Sequence, residues 1–184
     1  MFLKKFSNDL KRYKNYSKKS ALILFLTQQG VWSIFVYRIN NNIYNSKLPS
    51  YIKRIALLIG VFFQKAIEII TGISIPYTAQ IGEGLYIGHF GNIIINANSK
   101  IGNNCNISQG VTIGVSGRKD QRGVPIIGNN VYIGANAVIV GKIIIGDNCV
   151  VGANSLVVDD FENDVTILGV PAKKVSNNNS EGYI

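Results

Sequence analysis

The chain holds one histidine, His89, in the run Leu85-Tyr86-Ile87-Gly88-His89-Phe90-Gly91-Asn92. An imidazole titrates at about 6.5 when unperturbed, so it can take a hydroxyl proton near neutral pH. A hydroxyl activated in this way can attack a thioester without a metal or a covalent enzyme intermediate. That chemistry needs only the base, a bound acyl donor and a donor group for the developing oxyanion. The competing reading is a hydrogen-bonded, inert histidine at a strand turn. The place of His89 in the repeat described below favours the base.

Other chemistries are poorly supplied. One histidine and no cysteine pair exclude a three-histidine metal site, and Cys105 and Cys149 are too far apart to suggest a disulfide framework. They read as small buried residues in a reducing, cytoplasmic setting. There is no Gly-x-Ser-x-Gly elbow, and no Gly-x-Gly-x-x-Gly in a strand-to-helix context.

The element that must position His89 is a repeat. Aliphatic residues recur every sixth position: Ile75, Ile81, Ile87; Ile95, Ile101, Ile107, Ile113; then Ile127, Ile133, Ile139, Ile145, Val151, Val157. The next residue is often Gly, and the fourth one on is small or β-branched, as at Ala79, Ser99, Cys105, Val131, Ala137 and Cys149. Three short strands and three tight corners make a coil of about eighteen residues, stacked as a solenoid. Glycine and asparagine tolerate the positive φ that corners need, and Asn103–Asn104, Asn129–Asn130 and Asp147–Asn148 are the expected corners. The fold class is therefore mainly β, a parallel β-helix of four to five coils after an N-terminal α-helical region.

The phase slips twice, from Ile87 to Ile95 just after His89, and from Ile113 to Ile127, where residues 115–125 leave as a loop. That loop carries Arg118, Lys119 and Arg122. Insertions in repeat arrays tend to carry function, which makes Arg118 and Arg122, with Asn92 at the first slip, candidate substrate contacts.

Before Gly72 the period is helical. Ile52, Ile55, Ala56, Ile59, Phe62, Phe63, Ala66, Ile67 and Ile70 define an amphipathic helix started by Pro49–Ser50 and stopped by Gly72. An earlier helix is expected over about 19–39, with Trp32, Phe35 and Val36 on its apolar side. The expected organisation is a helical region over 1–72, a β-helix domain over 73–175 and a flexible tail over 176–184. The net charge of +9 is concentrated at the start, where seven lysines and arginines face Asp9 alone before residue 21. This is either a solvated helix face or an attraction to an anionic membrane surface. No nucleic-acid motif accompanies it. The apolar runs Ala21–Leu26, Val31–Tyr37 and Ile55–Phe63 are each shorter than the ~20 residues of a membrane span. They pack on the domain or rest on a membrane face.

From Gly72 to Val175 the chain resembles the serine acetyltransferase branch of the hexapeptide acyltransferases, and looks closest to members from capsule and exopolysaccharide clusters. The matching residues are Ile81-Gly82-Glu83-Gly84, Ile87-Gly88-His89, Ser108 to Gly114, Pro125 to Gly128, Val131 to Ala135, Val151 to Ser155 and Gly169 to Lys173. The resemblance implies a left-handed winding, a homotrimer and acetyl-CoA as acyl donor with no metal. It also implies His89 as the base, and Gly114, Ala135 and Ala153 along the pantetheine arm, with Lys173 and Lys174 near the nucleotide phosphates.

Three positions depart from that branch. A carboxylate before the histidine is replaced by Gly88, one that orients it by Ser74, and a loop histidine by Val124. A backbone carbonyl or Asn92 is left to orient His89. These losses point to a sugar hydroxyl, free or on a lipid-linked glycan, as acceptor in surface polysaccharide assembly, with peripheral contact at the inner membrane face. Serine acetylation through an altered pocket and a non-catalytic scaffold are the alternatives.

Overall fold

The computed structural model describes residues 2–184. Four helices come first: α1 (Phe2–Ser17), α2 (Ala21–Thr27), α3 (Gln29–Tyr44) and α4 (Ser50–Thr71). α4 has the expected bounds, because Pro49 precedes its first turn and Gly72 ends it in the left-handed conformation at φ 66°. The expected helix over 19–39 is divided. Ser20 accepts from Ile23 N to open α2, and the chain bends by 98° into α3. The face α3 buries is Val31, Ile34, Tyr37 and Arg38, not Trp32, Phe35 and Val36, which are half-buried. Phe35 instead meets the rings of Phe6 and Phe25.

Fourteen short strands follow among the described residues. β1 (Ile73–Ser74), β3 (Ile93–Ile95), β6 (Thr112–Gly114), β9 (Val138–Val140) and β12 (Leu156–Val157) stack in parallel as one sheet. β2 (Gln80–Ile81), β4 (Lys100–Ile101), β7 (Ile126–Ile127) and β10 (Ile144–Ile145) form the second. The third holds β5 (Asn106–Ile107), β8 (Tyr132–Ile133), β11 (Val150–Val151), β13 (Thr166–Gly169) and the antiparallel β14 (Ala172–Ser176). The chain visits the three sheets in turn, which makes five coils of a parallel β-helix.

The sixth-position aliphatics fill the interior: from Ile75 through Val157 none is more than 4% exposed. Cys105, Val111, Val131, Ala137 and Cys149 are fully buried in the small position. Registers confirm both slips, since Gln80 pairs with Lys100 and Lys100 with Ile126. A third slip lies in the last coil, where Ile145 bridges to Phe161, two residues short of the regular eighteen.

The corner asparagines behave as expected, with Asn104, Asn130 and Asn148 at φ 53–56°. Asn103, Asn129 and Asp147 form the ladder beside them, each taking a backbone N–H from the coil before. The glycines after the aliphatic position have a different reason. A Cβ on Gly102 would lie 2.4 Å from Gly128 O, and one on Gly82 would lie 2.6 Å from Gly102 backbone. Close stacking of coils, not positive φ, selects glycine at these two positions.

The first coil has no coil above it, so its outward backbone groups need other partners. The helices supply them. Tyr37 Oη donates to Ala79 O (2.8 Å) and accepts from Ile81 N (3.2 Å). Arg38 donates to Ile81 O (2.8 Å) and holds Asp9 in a bidentate pair at 2.8 and 3.0 Å, with both residues about 99% buried. Asp9 in turn accepts from Leu85 N (2.8 Å). Tyr13 treats Ile87 as Tyr37 treats the 79–81 segment. The helical region is therefore the end cap of the solenoid.

Candidate active site

His89 lies where the first coil leaves the Tyr86–Asn106 bridge and turns toward β3. Ile87 is fully buried and clamped by Tyr13. The chain beyond it turns through Gly91 (φ 104°) and Asn92 (φ 53°), so the two extra residues of this coil push the imidazole outward. The ring is exposed on the edge of the β-helix.

It lines a cavity of about 290 Å³ together with Tyr16, Tyr86, Asn106, Ser108, Tyr132 and Tyr183. No acidic side chain lines that cavity among the described residues. Tyr86 packs between the tilted rings of Tyr13 (4.6 Å between centroids) and Tyr16 (4.5 Å). Its ring crosses the space beside Gly88, where a Cβ would meet it at 3.0 Å. The glycine before His89 thus makes room for a tyrosine. Burial pushes the Tyr86 phenol above its ordinary range, which keeps it a neutral donor.

The tail that the sequence suggests is flexible forms one wall. Ser180 is buried, its N–H donates to Asn148 O (3.0 Å) and its hydroxyl to Asn130 O (2.6 Å). The Tyr183 carbonyl accepts from Tyr16 Oη (2.7 Å) and Asn106 Nδ2 (2.6 Å), and its ring packs 4.7 Å from Tyr132. These contacts tie residues 180–183 to the sheet of β5 and β8 beside His89.

The other candidate residues divide between edges. Gly110 N donates to Gly91 O, Asn136 N to Gln109 O and Asn154 N to Ala135 O. Ala135 and Ala153 therefore stack in column with the His89 corner. Gly114 does not join them. It pairs with Val140 at the end of β6, on the edge where the chain leaves that sheet. The loop 115–125 projects from this second edge. It is closed by paired hydrogen bonds between Ser116 and Gly123 and by a short 3-10 turn at Lys119–Gln121, and Arg118 and Arg122 are exposed.

Asn92 makes no hydrogen bond to His89, and no backbone carbonyl does so among the described residues. The expected orienting contact is absent within the chain, because the left-handed turn at Asn92 carries that side chain out to solvent. Lys173 and Lys174 are exposed but paired, with Asp159 (3.1 Å) and Glu162 respectively. Any phosphate must compete with those carboxylates. Ser74 has acquired a carboxylate from another element: its hydroxyl donates to Glu68 Oε1 at 3.0 Å.

Sequence reasoning missed the tyrosines. Tyr86 and Tyr132 stand just before an interior aliphatic on the same side of the first and third coils, with Asn106 between them, a signal that counting positions round the coil would reveal. Tyr16 and Tyr183 lie outside the repeat and carry no such signal.

Comparison with known proteins agrees with this architecture. Residues 125–159 match the family model for the bacterial transferase hexapeptide (six repeats). A serine acetyltransferase of Staphylococcus aureus is 33% identical over 93% of this chain and 77% of its own length. One from Synechocystis sp. is 38% identical over 79% of this chain, and one from Synechococcus elongatus 30% over 85%. The chain spans only 55% and 61% of those two relatives. Among solved structures, the Neisseria gonorrhoeae serine acetyltransferase superposes with a TM-score of 0.81 at 33% identity, covering 95% of this chain and 65% of that one. Soybean serine acetyltransferase complexed with serine gives 0.82 at 26% identity, covering 95% and 69%. The expected closeness to exopolysaccharide members finds no support in these relatives.

Proposed function

Because the chain belongs to the serine acetyltransferase family of hexapeptide-repeat proteins, we propose that it transfers an acetyl group from acetyl-CoA to an alcohol, with His89 as general base. The observation that carries this reading is the position of His89: exposed, on a cavity wall, in column with the small residues Ala135 and Ala153. Small residues let an extended pantetheine chain approach the backbone closely. The imidazole takes the acceptor's hydroxyl proton while its oxygen attacks the thioester carbonyl carbon. The C–S bond then breaks, and the imidazolium returns the proton to the departing thiolate.

His89 and the loop 115–125 occupy different edges of the sheet that contains β3 and β6. Arg118 and Arg122 therefore reach a His89 site only from a neighbouring copy, which supports a homotrimer with sites between subunits. The left-handed winding is carried over from the family.

The names of the relatives make L-serine the first acceptor to consider. One observation favours a second. An amino-acid acceptor brings an ammonium that seeks an anion, and one chain's share of the site offers tyrosine hydroxyls, Asn106 and Ser108 without an acidic side chain, Asp120 being the one carboxylate in a neighbour's loop. That lining suits a neutral polyol such as a sugar. Release of CoA from acetyl-CoA, measured with L-serine and with a panel of neutral sugars, tests both. Turnover with serine alone assigns the family's reaction, turnover with a sugar alone assigns the second, and none with any alcohol overturns the acetyltransferase reading.

A further inference from the structure

The excess positive charge of the protein resides entirely in its helical region. Residues 1–72 carry twelve lysines and arginines against two acids, Asp9 and Glu68. Both acids are already paired, Asp9 with Arg38 and Glu68 with Lys65. Residues 73–184 hold seven basic and eight acidic residues. Lys4, Lys11, Lys14, Lys18, Lys19, Lys47 and Arg54 are exposed, and none of them forms an ion pair among the described residues.

The same region leaves its apolar surface uncovered. α4 buries only Thr71. Tyr51, Ile55, Leu58, Phe62 and Ile69 follow at steps of four, three, four and seven residues, which places them on one stripe, and Leu58, Phe62 and Ile69 are 73%, 72% and 85% exposed. Ile52, Ile59, Phe63 and Ile70 widen the stripe and are exposed too. α2, packed like α4 against α3, adds exposed Leu22, Ile23 and Leu26 next to Lys18 and Lys19. Exposed apolar side chains clustered in this way mark an interaction site.

We propose that α4, with α2 and the cations around them, docks on an anionic phospholipid bilayer and lies in its plane. Charge decides the occupant. A second copy of the same surface brings its own excess of lysines with no free carboxylate to meet them, whereas acidic headgroups complement the cations while the acyl boundary takes the apolar stripe. No single helix is long and apolar enough to cross a membrane, which fits an in-plane helix.

The test is sedimentation of the full chain with vesicles of phosphatidylcholine alone and of equal phosphatidylcholine and phosphatidylglycerol. Binding is expected only to the anionic vesicles. It should fall at least about tenfold between 0.05 and 0.5 M NaCl, and by a similar factor in the Leu58→Glu/Phe62→Glu variant. A Lys4→Gln/Lys11→Gln/Lys14→Gln variant, which leaves the apolar face intact, should lose at least about fivefold and serves if the first variant does not fold. Absent or equal binding to the two vesicle types, or parental binding by the charge variant, overturns the proposal. So does a smaller assembly in the Leu58/Phe62 variant without any vesicle binding by the parent, which would make the face a self-association surface.

Discussion

The Tyr13 hydroxyl donates to Ile87 O at 2.8 Å and accepts from Ile87 N at 3.0 Å, so one side chain of α1 completes the backbone two residues before His89. Tyr13→Phe keeps the ring and removes both bonds, leaving a buried N–H and C=O unpaired. The expected loss is about 2–4 kcal/mol, or roughly 5–15 °C in melting temperature. Activity should fall as well, since the turn carrying His89 loses its anchor. Thermal unfolding followed by circular dichroism, beside a CoA-release assay, checks both.

The Asp9–Arg38 pair joins α1, α3 and the first coil. Asp9→Ala strands a buried guanidinium and should cost about 3–5 kcal/mol. The double replacement Asp9→Leu/Arg38→Met should cost clearly less than the sum of its single replacements, because no charge is left unpaired. A double-mutant cycle in urea measures this.

Acid sensitivity should involve Glu68. Partial burial alone would raise its carboxyl, but hydrogen bonds from Lys65, Gln64 and Ser74 outweigh that and hold it below its ordinary range. A carboxyl depressed on folding stabilises the protein above its unfolded pKa, and that contribution is lost as pH falls through the folded value. Melting temperatures between pH 6 and pH 3 should therefore fall more steeply for the parent than for Glu68→Gln. Equal slopes would remove Glu68 from the account.

Both cysteines should be silent in the native state. Burial pushes the Cys105 thiol up to about 12, and Cys149 moves in the same direction for the same reason. A maleimide at pH 7.5 should label neither until the protein is unfolded, and then both. Mass spectrometry distinguishes the cases.

Much of this was written in the chain because it is local. The six-residue phase follows from stacking one aliphatic per strand, and α4 from its Pro49 and Gly72 boundaries. The cap was illegible for the opposite reason: Tyr13, Tyr37, Asp9 and Arg38 meet backbone forty to eighty positions away. The shortened last coil escaped notice because Phe161 takes a place that aliphatics hold elsewhere. The tail read as flexible from composition, yet Ser180 and Tyr183 are fixed by carbonyls and amides that no pattern announces. Separating Gly114 from Ala135 and Ala153 needed only the count of eighteen-residue turns carried across the inserted loop.

The most direct measurement is the rate of CoA release from acetyl-CoA with the preferred alcohol, compared between the parent and His89→Ala at equal folded concentration. Loss of a positioned general base predicts a fall of about 10²- to 10⁴-fold in turnover with the oligomer and melting temperature unchanged. A variant that turns over within a few-fold of the parent contradicts the assignment of His89 as the base.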